Sequence, residues 1–250
     1  YLNKRKESLS ICVTCLNEEK NLRATVDTIF KANEKFHYDL DIIIFDDGST
    51  DGTFKVAQQI AKDSSKVRIY NHNSPKGIGT VFVKGIILAK GDYFSLFPGD
   101  NQITKKYMVS LFQEIGKADL ILSYPFNEDI RSFKRRMFSK AFIKIYNLLF
   151  GLNLKYYNGP AFFRTELLNQ IPFVTRFFSY HAEAVVKFIK SGYSYLEIGG
   201  LLKERDYGKS SALKFHSFLG VLLGTFTLFV DIKFFLGKAF ARKPKPNSET

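Results

Sequence analysis

The sequence has few cysteines, and this scarcity excludes two classes of protein. Its two thiols, Cys12 and Cys15, are too few for the disulfide framework that holds many secreted domains together, and too few for a four-thiolate zinc site. Their spacing, CVTC, matches that of redox pairs, but such pairs lie at a helix N-terminus, whereas these two fall inside an apolar run typical of a strand. We therefore predict two buried structural thiols.

The sequence also lacks an uninterrupted apolar run long enough to cross a membrane. The most apolar stretch, 212–240, is interrupted by ionisable residues, and its longest charge-free run, Ser217–Val230, has 14 residues, whereas a spanning helix needs about 20. Phe-rich apolar surface flanked by Lys and Arg is typical of a helix that lies in the membrane interface. Two structures are therefore open for this segment: an interfacial helix, or a terminal helix packed on the core of the domain.

Acidic residues are scarce in the second half of the chain. Residues 1–127 hold 17 basic and 15 acidic side chains, whereas residues 128–250 hold 20 and 9, so most of the net charge of +13 lies in the second half. Such an excess favours an anionic partner: nucleic acid, anionic lipid or a phosphorylated small molecule. Most Phe and Tyr residues fall in apolar stretches and are not interleaved with basic residues, so we expect no nucleic-acid partner.

Short apolar runs alternate with segments of helical periodicity along the chain. The runs LSICVTC, IIIF, VRIYNH, DYFSLF and DLILSYP predict strands, and YSYLEIG predicts a later one. Strands that are apolar throughout indicate a parallel sheet covered by helices on both faces, which is an α/β fold. We expect one large domain over residues 1–211, a membrane-associated helical segment over 212–241 and a basic flexible tail over 242–250.

Polar residues follow three of the predicted strands. Asn17 and Glu18 follow the first, Asp46 and Asp47 the second, and Asp100 comes soon after DYFSLF. Because the carboxyl ends of parallel strands meet at one edge, where ligands bind in such sheets, we expect these side chains to gather in a cleft. Burying a carboxylate costs free energy unless a neighbouring group pairs with its charge or a metal ion binds it. This cost points to a functional role for Asp100.

The chain carries six motifs in a fixed order: CLNEE, DDGST, PKGIGT, FPGDNQ, RSFKRRMFSK and RDYGKSS. This ordered set, between about Leu9 and Leu213, resembles family 2 glycosyltransferases of the GT-A fold. More narrowly, it resembles the polyprenyl-phosphate sugar synthases related to dolichyl-phosphate mannose synthase. The resemblance implies a mostly parallel GT-A sheet flanked by helices, followed by C-terminal amphipathic or membrane-interface helices.

The resemblance implies a site for a nucleotide-sugar donor. Carboxylates suit this role because they accept hydrogen bonds from base N–H and ribose hydroxyl donors, while Gly48 permits a tight turn. In relatives, the loop that corresponds to RDYGKSS covers the diphosphate. The donor-binding residues implied in this way are Thr14, Asn17, Glu18, Asp46, Asp47, Lys76, Gly77, Asp100, Arg205, Lys209 and Ser210.

The metal-binding motif of the relatives, Asp-x-Asp-x-Gln, appears here as PGDNQ, with Pro98 in place of the first carboxylate. The resemblance implies that Asp100 and Gln102 bind Mg²⁺ or Mn²⁺, and that Asp100 and Arg205 are catalytic. Magnesium is often held by one or two carboxylates plus substrate phosphates, so the loss of one ligand weakens the site without abolishing it. Lysine and arginine can carry the remaining diphosphate charge.

The motif RSFKRRMFSK predicts the start of a basic amphipathic helix from Arg131 to Phe150. Residues four apart share one face of a helix, so Arg131, Arg135 and Ser139 can address one phosphate group. The resemblance assigns these three residues to the phosphate of the acceptor. Without the resemblance, the same pattern is typical of a solvated basic face.

These features together lead to an expected reaction. We expect an inverting glycosyltransferase that moves a sugar from a nucleotide sugar to a polyprenyl phosphate at the cytoplasmic face of a membrane, as a peripheral or interfacially anchored protein. A phosphate monoester needs no general base, because its second pKa of about 6 leaves it mostly dianionic at neutral pH. Two alternatives are a transferase acting on a sugar hydroxyl, which needs a base such as Glu183 or Asp206, and a non-catalytic scaffold that binds sugar nucleotides.

Overall fold

The computed structural model of the protein describes residues 6–127, 131–173, 179–204, 207 and 215–236. Its strands are β1 (Ser8–Cys15), β2 (Asp39–Asp46), β3 (Val67–Asn71), β4 (Tyr93–Pro98), β5 (Leu120–Pro125), β6 (Ala161–Arg164) and β7 (Tyr195–Gly200). Its helices are α1 (Leu22–Asn33), α2 (Thr53–Asp63), α3 (Ile78–Leu88), α4 (Lys105–Phe112), α5 (Phe133–Phe150), α6 (Thr165–Leu168), α7 (Tyr180–Lys190) and α8 (Phe215–Val230), and a π-helical turn (Asp231–Leu236) follows α8.

The strands form one seven-stranded sheet in the order β3-β2-β1-β4-β6-β5-β7. All neighbouring strands are parallel except β6, which runs antiparallel to both β4 and β5. The prediction of a mostly parallel α/β sheet is confirmed. The strands predicted from the sequence did not include β6, whose residues are AFFR.

Both faces of the sheet are covered, which explains why the strands are apolar throughout. On β1, Ile11 and Val13 belong to the core on one face, with apolar residues of α1, α2 and α4, whereas Cys12 belongs to the core on the other face, with α3 and α7. Both thiols are buried and free, as predicted. Burial raises the pKa of the Cys12 thiol, and the charge of Asp41 raises it further, so this cysteine stays protonated.

The C-terminal helical segment packs on the domain. Leu228 of α8 is fully buried, and the hydroxyls of Thr225 and Tyr146 lie 2.9 Å apart, which links α8 to α5. Asp231 in the π-helical turn lies 2.7 Å from the ammonium of Lys187 on α7. The described part of this segment is packed on the core of the domain, with Leu228 among the core residues. None of the helices within the described ranges is both long enough and apolar enough to span a membrane.

A charge network fixes the start of β2 against its neighbours. The carboxylate of Asp41 accepts hydrogen bonds from Ser10 Oγ at 2.6 Å, and from Arg68 Nε and Nη2 at 2.8 and 2.7 Å. Burial raises the pKa of Asp41, but the hydrogen bonds from Arg68 and Ser10 outweigh it and bring the pKa below the ordinary value of 3.8. The folded state therefore stabilises the charged form of this carboxyl.

Replacing Asp41 by Asn should lower the free energy of unfolding at neutral pH by about 1–3 kcal/mol, because the hydrogen bonds from Arg68 and Ser10 lose their charged acceptor. The pKa of Asp41 is lower in the folded state than its ordinary value. The stabilisation is therefore complete at pH values above the ordinary pKa, and it is lost as the pH falls through the pKa of the folded state. The difference in the free energy of unfolding between Asp41→Asn and wild type should therefore become smaller at acidic pH. Urea denaturation at neutral and acidic pH measures both effects.

Asp39 provides a control on the same strand. Its side chain is 85% exposed and lies 3.6 Å from Lys66, and exposed ion pairs of this kind contribute little to stability. Asp39→Asn should leave the free energy of unfolding within about 0.5 kcal/mol of wild type. Equal losses in the two variants would contradict a specific role for the Asp41 network.

Candidate active site

The carboxyl edge of the sheet brings together the residues that were predicted to share a cleft. β1 lies between β2 and β4, and Thr14 near its end pairs with Phe45 on one side and Pro98 on the other. The carbonyl of Thr14 accepts a hydrogen bond from Gly99 N at 2.8 Å, which fixes the start of the loop after β4. The loops after β1, β2 and β4 therefore begin side by side.

Asn17 joins the loop after β1 to the loop after β2. Its backbone is left-handed, with a φ of 59°, and its amide oxygen accepts a hydrogen bond from Thr50 N at 2.9 Å. Its backbone N–H donates to Ser49 Oγ at 2.9 Å, and Ser49 N in turn donates to Asp46 Oδ1 at 3.0 Å. The side chain of Asn17 thus positions the loop that contains Asp46.

The carboxylate of Asp47 holds the glycine loop that precedes α3. Its Oδ1 accepts a hydrogen bond from Lys76 N at 2.9 Å, and its Oδ2 accepts one from Gly77 N at 2.8 Å. Gly48 makes the close approach possible: its φ is +81°, and a Cβ there would lie 2.6 Å from the carbonyl carbon of Ser74. Asp47 therefore positions Lys76 and Gly77 relative to the rest of the edge.

Glu18 is buried at the start of α1, near the one described residue of the RDYGKSS motif. Its carboxylate accepts a hydrogen bond from Asn21 Nδ2 at 2.7 Å, and the same amide nitrogen lies 3.3 Å from the carbonyl oxygen of Tyr207. The ammonium of Lys20 lies 5.4 Å from the centre of the Tyr207 ring. This motif thus approaches the carboxyl edge at residue 207, whereas Arg205, Lys209 and Ser210 lie outside the described residues.

Asp100 is buried in the loop between β4 and α4. Its Oδ1 accepts a hydrogen bond from Gln102 N at 3.2 Å, and the intervening Asn101 has a left-handed backbone with a φ of 56°. The side-chain amide of Gln102 donates to the carbonyl of Lys203 at 3.4 Å, which ties this loop to the chain after β7. Pro98, which takes the place of the first carboxylate of the metal motif, is exposed at the end of β4.

The residues at this edge fit a divalent ion only when other ligands complete its shell. In the part of the chain that the structure describes, no group of three or more His, Cys, Asp or Glu side chains could hold a metal ion. Asp100 supplies one carboxylate, and Gln102 lies beside it. Magnesium and manganese accept such oxygen ligands and commonly add water and phosphate oxygens. The donor set therefore fits an ion that is shared with a bound diphosphate.

The predicted acceptor residues do not all lie on one helix. α5 begins at Phe133, after Ser132 in an extended backbone conformation, so the prediction that Arg131 shares the helix face of Arg135 and Ser139 is wrong. Arg131 instead donates a hydrogen bond from Nη1 to the hydroxyl of Tyr156 at 2.7 Å. Arg135 and Ser139 do lie one turn apart on α5, and both are half-buried.

Glu183, considered above as a general base, is unsuited to that role in this structure. It is fully buried on α7, and its carboxylate lies 2.7 Å from the ammonium of Lys187, which is also fully buried. A carboxylate enclosed in this way cannot reach the hydroxyl of a bound substrate. The other base considered, Asp206, lies outside the described residues.

Sequence reasoning missed a histidine at the same edge. His72 is buried just after β3, with Nδ1 2.7 Å from Asp47 Oδ1 and Nε2 2.8 Å from the ammonium of Lys84 on α3. Because an ammonium only donates hydrogen bonds, Nε2 must accept, so the proton of the neutral ring is on Nδ1 and is donated to Asp47. His72 ends the run VRIYNH, so the rule that identified the other strand-end residues applies to it as well.

A mostly parallel sheet with buried carboxylates gathered at its carboxyl edge defines an α/β ligand-binding domain. Residues 10–172 match the sequence model of the family described as "Glycosyl transferase family 2", and the chain belongs to this family.

Curated relatives match about half of this chain. Glycosyltransferase GlyG of Streptococcus pneumoniae is 26% identical over 125 residues, which cover 49% of this chain and 40% of the relative. Abequosyltransferase RfbV of Salmonella typhimurium is 31% identical over 116 residues, which cover 46% of this chain and 34% of the relative. The matched region thus spans well under half the length of these relatives.

Solved structures share the fold over most of the chain. Glucosyl-3-phosphoglycerate synthase from Mycobacterium tuberculosis, in complex with Mn²⁺, UDP and phosphoglyceric acid, superposes with a TM-score of 0.64 and 17% identity, covering 89% of this chain and 78% of that one. Mannosyltransferase PcManGT from Pyrobaculum calidifontis, in complex with GDP-Man and Mn²⁺, superposes with a TM-score of 0.63 and 13% identity, covering 97% of this chain and 67% of that one. These similarities identify the fold as GT-A.

Replacing His72 by Ala should weaken the binding of nucleoside diphosphates roughly tenfold, because Asp47 loses a hydrogen bond that fixes its carboxylate and hence the loop of Lys76 and Gly77. Isothermal titration calorimetry with UDP and GDP measures the loss.

His72→Asn is the matched control, because its side-chain N–H can still donate to Asp47. This variant should keep most of the affinity for nucleoside diphosphates. Lys84→Met removes only the contact between Lys84 and His72 Nε2, and its affinity should lie between those of His72→Ala and His72→Asn. If His72→Ala lowered the melting temperature without changing nucleotide affinity, the histidine would have a structural role alone.

Proposed function

We propose that this protein transfers a sugar from a nucleotide sugar to a polyprenyl phosphate at the cytoplasmic face of a membrane, with inversion at the anomeric carbon. The observation that carries the donor half of the proposal is the gathering of Glu18, Asp46, Asp47 and Asp100 at one edge of a GT-A sheet. The relatives named above that were crystallised with UDP or GDP-Man support a nucleotide sugar as the donor.

The donor would bind across the carboxyl edge of the sheet. Asp46, whose Oδ1 is engaged by Ser49, and Glu18 offer carboxylate oxygens to base and ribose donors. Asp47 would act indirectly, by holding Lys76 and the turn at Gly77 close to the phosphates. In this proposal Arg205, Lys209 and Ser210 close over the diphosphate from the segment in which Tyr207 lies.

Asp100, with Gln102 beside it, would hold a divalent ion such as Mg²⁺ or Mn²⁺ together with the donor. When bound, such an ion neutralises charge that develops on the leaving diphosphate. Positive side chains supply the same kind of stabilisation without a proton transfer, and the basic excess of the second half of the chain favours their participation. The catalytic role expected of Asp100 and Arg205 is therefore electrostatic.

The acceptor would be aligned by α5. This helix carries five basic residues and no acidic one, which suits a phosphate dianion. An oxygen of the acceptor phosphate attacks the anomeric carbon while the bond from that carbon to the nucleoside diphosphate breaks, and its electron pair leaves with the diphosphate. Arg135 and Ser139, one turn apart on α5, would bind the acceptor phosphate, and Arg131 would contribute from the segment before the helix.

The burial of Glu183 removes one of the two candidate bases for a sugar-hydroxyl acceptor, which supports a phosphate acceptor. A hydroxyl must lose its proton during transfer and needs a base, whereas a phosphate monoester is already charged. Glu183 is enclosed and paired with Lys187, so it cannot serve. Turnover separates the proposed function from both alternatives: radiolabelled nucleotide sugars, incubated with a polyprenyl phosphate with and without a chelator, yield a lipid-linked product only if the protein is an enzyme of the proposed kind.

Asp100→Ala should abolish transfer and Asp100→Asn should nearly do so, because no second carboxylate at position 98 can compensate. A second variant, Pro98→Asp, should lower the metal concentration needed for half-maximal activity. Initial rates with radiolabelled donor against metal concentration measure both.

Asp63→Asn is the control for the aspartate variants, since this side chain lies at the end of α2 and pairs with Arg23 at the surface. It should retain wild-type rates. Substantial activity in Asp100→Ala would contradict the proposed site, and coincident metal titrations of wild type and Pro98→Asp would show that Asp100 is not a metal ligand of this kind.

Arg135→Ala should reduce use of the polyprenyl phosphate roughly tenfold to hundredfold, which corresponds to a lost charge-assisted hydrogen bond of about 1.5–3 kcal/mol. Nucleoside diphosphate affinity should stay almost unchanged. Steady-state kinetics against the lipid and calorimetry with the nucleotide separate the two effects.

Arg136→Ala is a control of the same charge on the adjacent position of α5, where the guanidinium lies 6.0 Å from the centre of the Phe133 ring. It should have a smaller effect on acceptor use. Equal weakening of donor and acceptor binding by Arg135→Ala would indicate that the helix closes over the donor instead.

A further inference from the structure

Large apolar side chains are exposed along α5 and on the neighbouring part of α8. Leu148 is 82% exposed, an unusual degree for a leucine on a folded domain. Within the described residues of these two helices, the large apolar residues that are at least half exposed are Phe133, Met137, Ile145, Leu148, Leu223 and Phe226. Single exposed apolar residues are ordinary, but six on two helices indicate a binding surface.

The two helices are linked by a side-chain contact. The hydroxyls of Tyr146 on α5 and Thr225 on α8 are 2.9 Å apart. Ile145, next to Tyr146 on α5, and Phe226, next to Thr225 on α8, are both at least half exposed. We call the exposed apolar residues of these two linked helices the α5–α8 surface.

The charge on α5 identifies the chemistry of the occupant. The helix carries Lys134, Arg135, Arg136, Lys140 and Lys144 and has no acidic residue, and α8 carries no acidic residue either. An apolar strip with basic residues beside it fits the headgroup region of an anionic bilayer, where apolar side chains enter the acyl boundary and ammonium groups meet phosphates.

The position of α5 connects this surface to the candidate active site. β5 ends at Pro125 on the carboxyl edge of the sheet, and α5 begins soon afterwards at Phe133. Asn127, between them, donates a hydrogen bond to the carbonyl of Leu202 at 2.7 Å, next to Lys203, which bonds to Gln102 in the Asp100 loop. The chain before α5 is thus tied at Asn127 to the same edge as Asp100.

We propose that the α5–α8 surface docks the protein on the surface of an anionic membrane. This inference deepens the proposed function and rests on it only for the identity of the lipid-linked acceptor. The sequence alone assigned membrane contact to residues 212–241, whereas the structure assigns most of the docking surface to α5. Docking through α5 would bring a phosphate at the bilayer surface to the first turn of the helix that is proposed to bind it.

Co-sedimentation of the full chain with phosphatidylcholine vesicles, with and without phosphatidylglycerol, tests the surface. Wild type should bind the vesicles that contain phosphatidylglycerol and should be released by salt. The double variant Leu148→Glu with Phe226→Glu, one change on each helix, should bind these vesicles at least about tenfold more weakly, because two apolar groups can no longer enter the acyl boundary.

Ile87→Glu is the matched control, since Ile87 is 73% exposed on α3, outside this surface. It should bind vesicles like wild type, and melting temperatures of all variants should be similar because the altered side chains are exposed. Unchanged vesicle binding by the double variant, or equal loss in Ile87→Glu, would overturn the proposal. So would a wild-type dimer, detected by sedimentation, that the double variant disrupts, because the surface would then serve a second copy of the chain.

A transfer assay with polyprenyl phosphate dispersed in detergent separates the two proposals. The double variant should transfer sugar in detergent as well as wild type does, and should lose activity only on vesicles. Wild type that transfers in detergent but does not bind vesicles would overturn the docking surface and leave the proposed function intact. Wild type that binds vesicles but transfers no sugar would overturn the proposed function alone.

Discussion

The hydrogen bonds to the carboxylate of Asp47 are the interaction on which the candidate site depends. One side chain joins the loop after β2 to the amides of Lys76 and Gly77 and, through His72, to α3. A buried carboxylate with several donors is stable only when they are all in place, so the loops must be ordered together. The edge of the sheet thus acts as one preorganised unit, which is what recognition of a charged ligand requires.

A second buried charge cluster determines how the C-terminal segment meets the domain. Lys187 is fully buried between Glu183 on its own helix and Asp231 beyond α8, at 2.7 Å from each. Removing one partner from such a cluster would leave a poorly compensated charge, which is strongly destabilising. Asp231 therefore holds the end of α8 on the domain. It thereby also helps to position the exposed apolar side chains of α8.

Much of the fold and of the edge was predictable, because apolar strands that end in polar residues leave a clear pattern. Glu18, Asp46, Asp47 and Asp100 were identified in this way, and all four lie at the edge. Nonlocal contacts were not predictable: β6 is short and takes its place by pairing with β4 and β5, and Lys84 reaches His72 only through the packing of α3. The error at Arg131 is local, since α5 begins two residues later than predicted and the ends of helices are their least regular part.

Pro98 has a thermodynamic consequence for a protein of this family. With a single carboxylate in the loop after β4, a divalent ion bound as proposed would gain most of its ligands only when a diphosphate is present, and the diphosphate would gain from the ion a counter-charge beyond that of lysine and arginine. By linkage, each then raises the affinity for the other by the same factor. The free protein would hold neither firmly, so the concentration of the donor would govern how much ion is bound at Asp100.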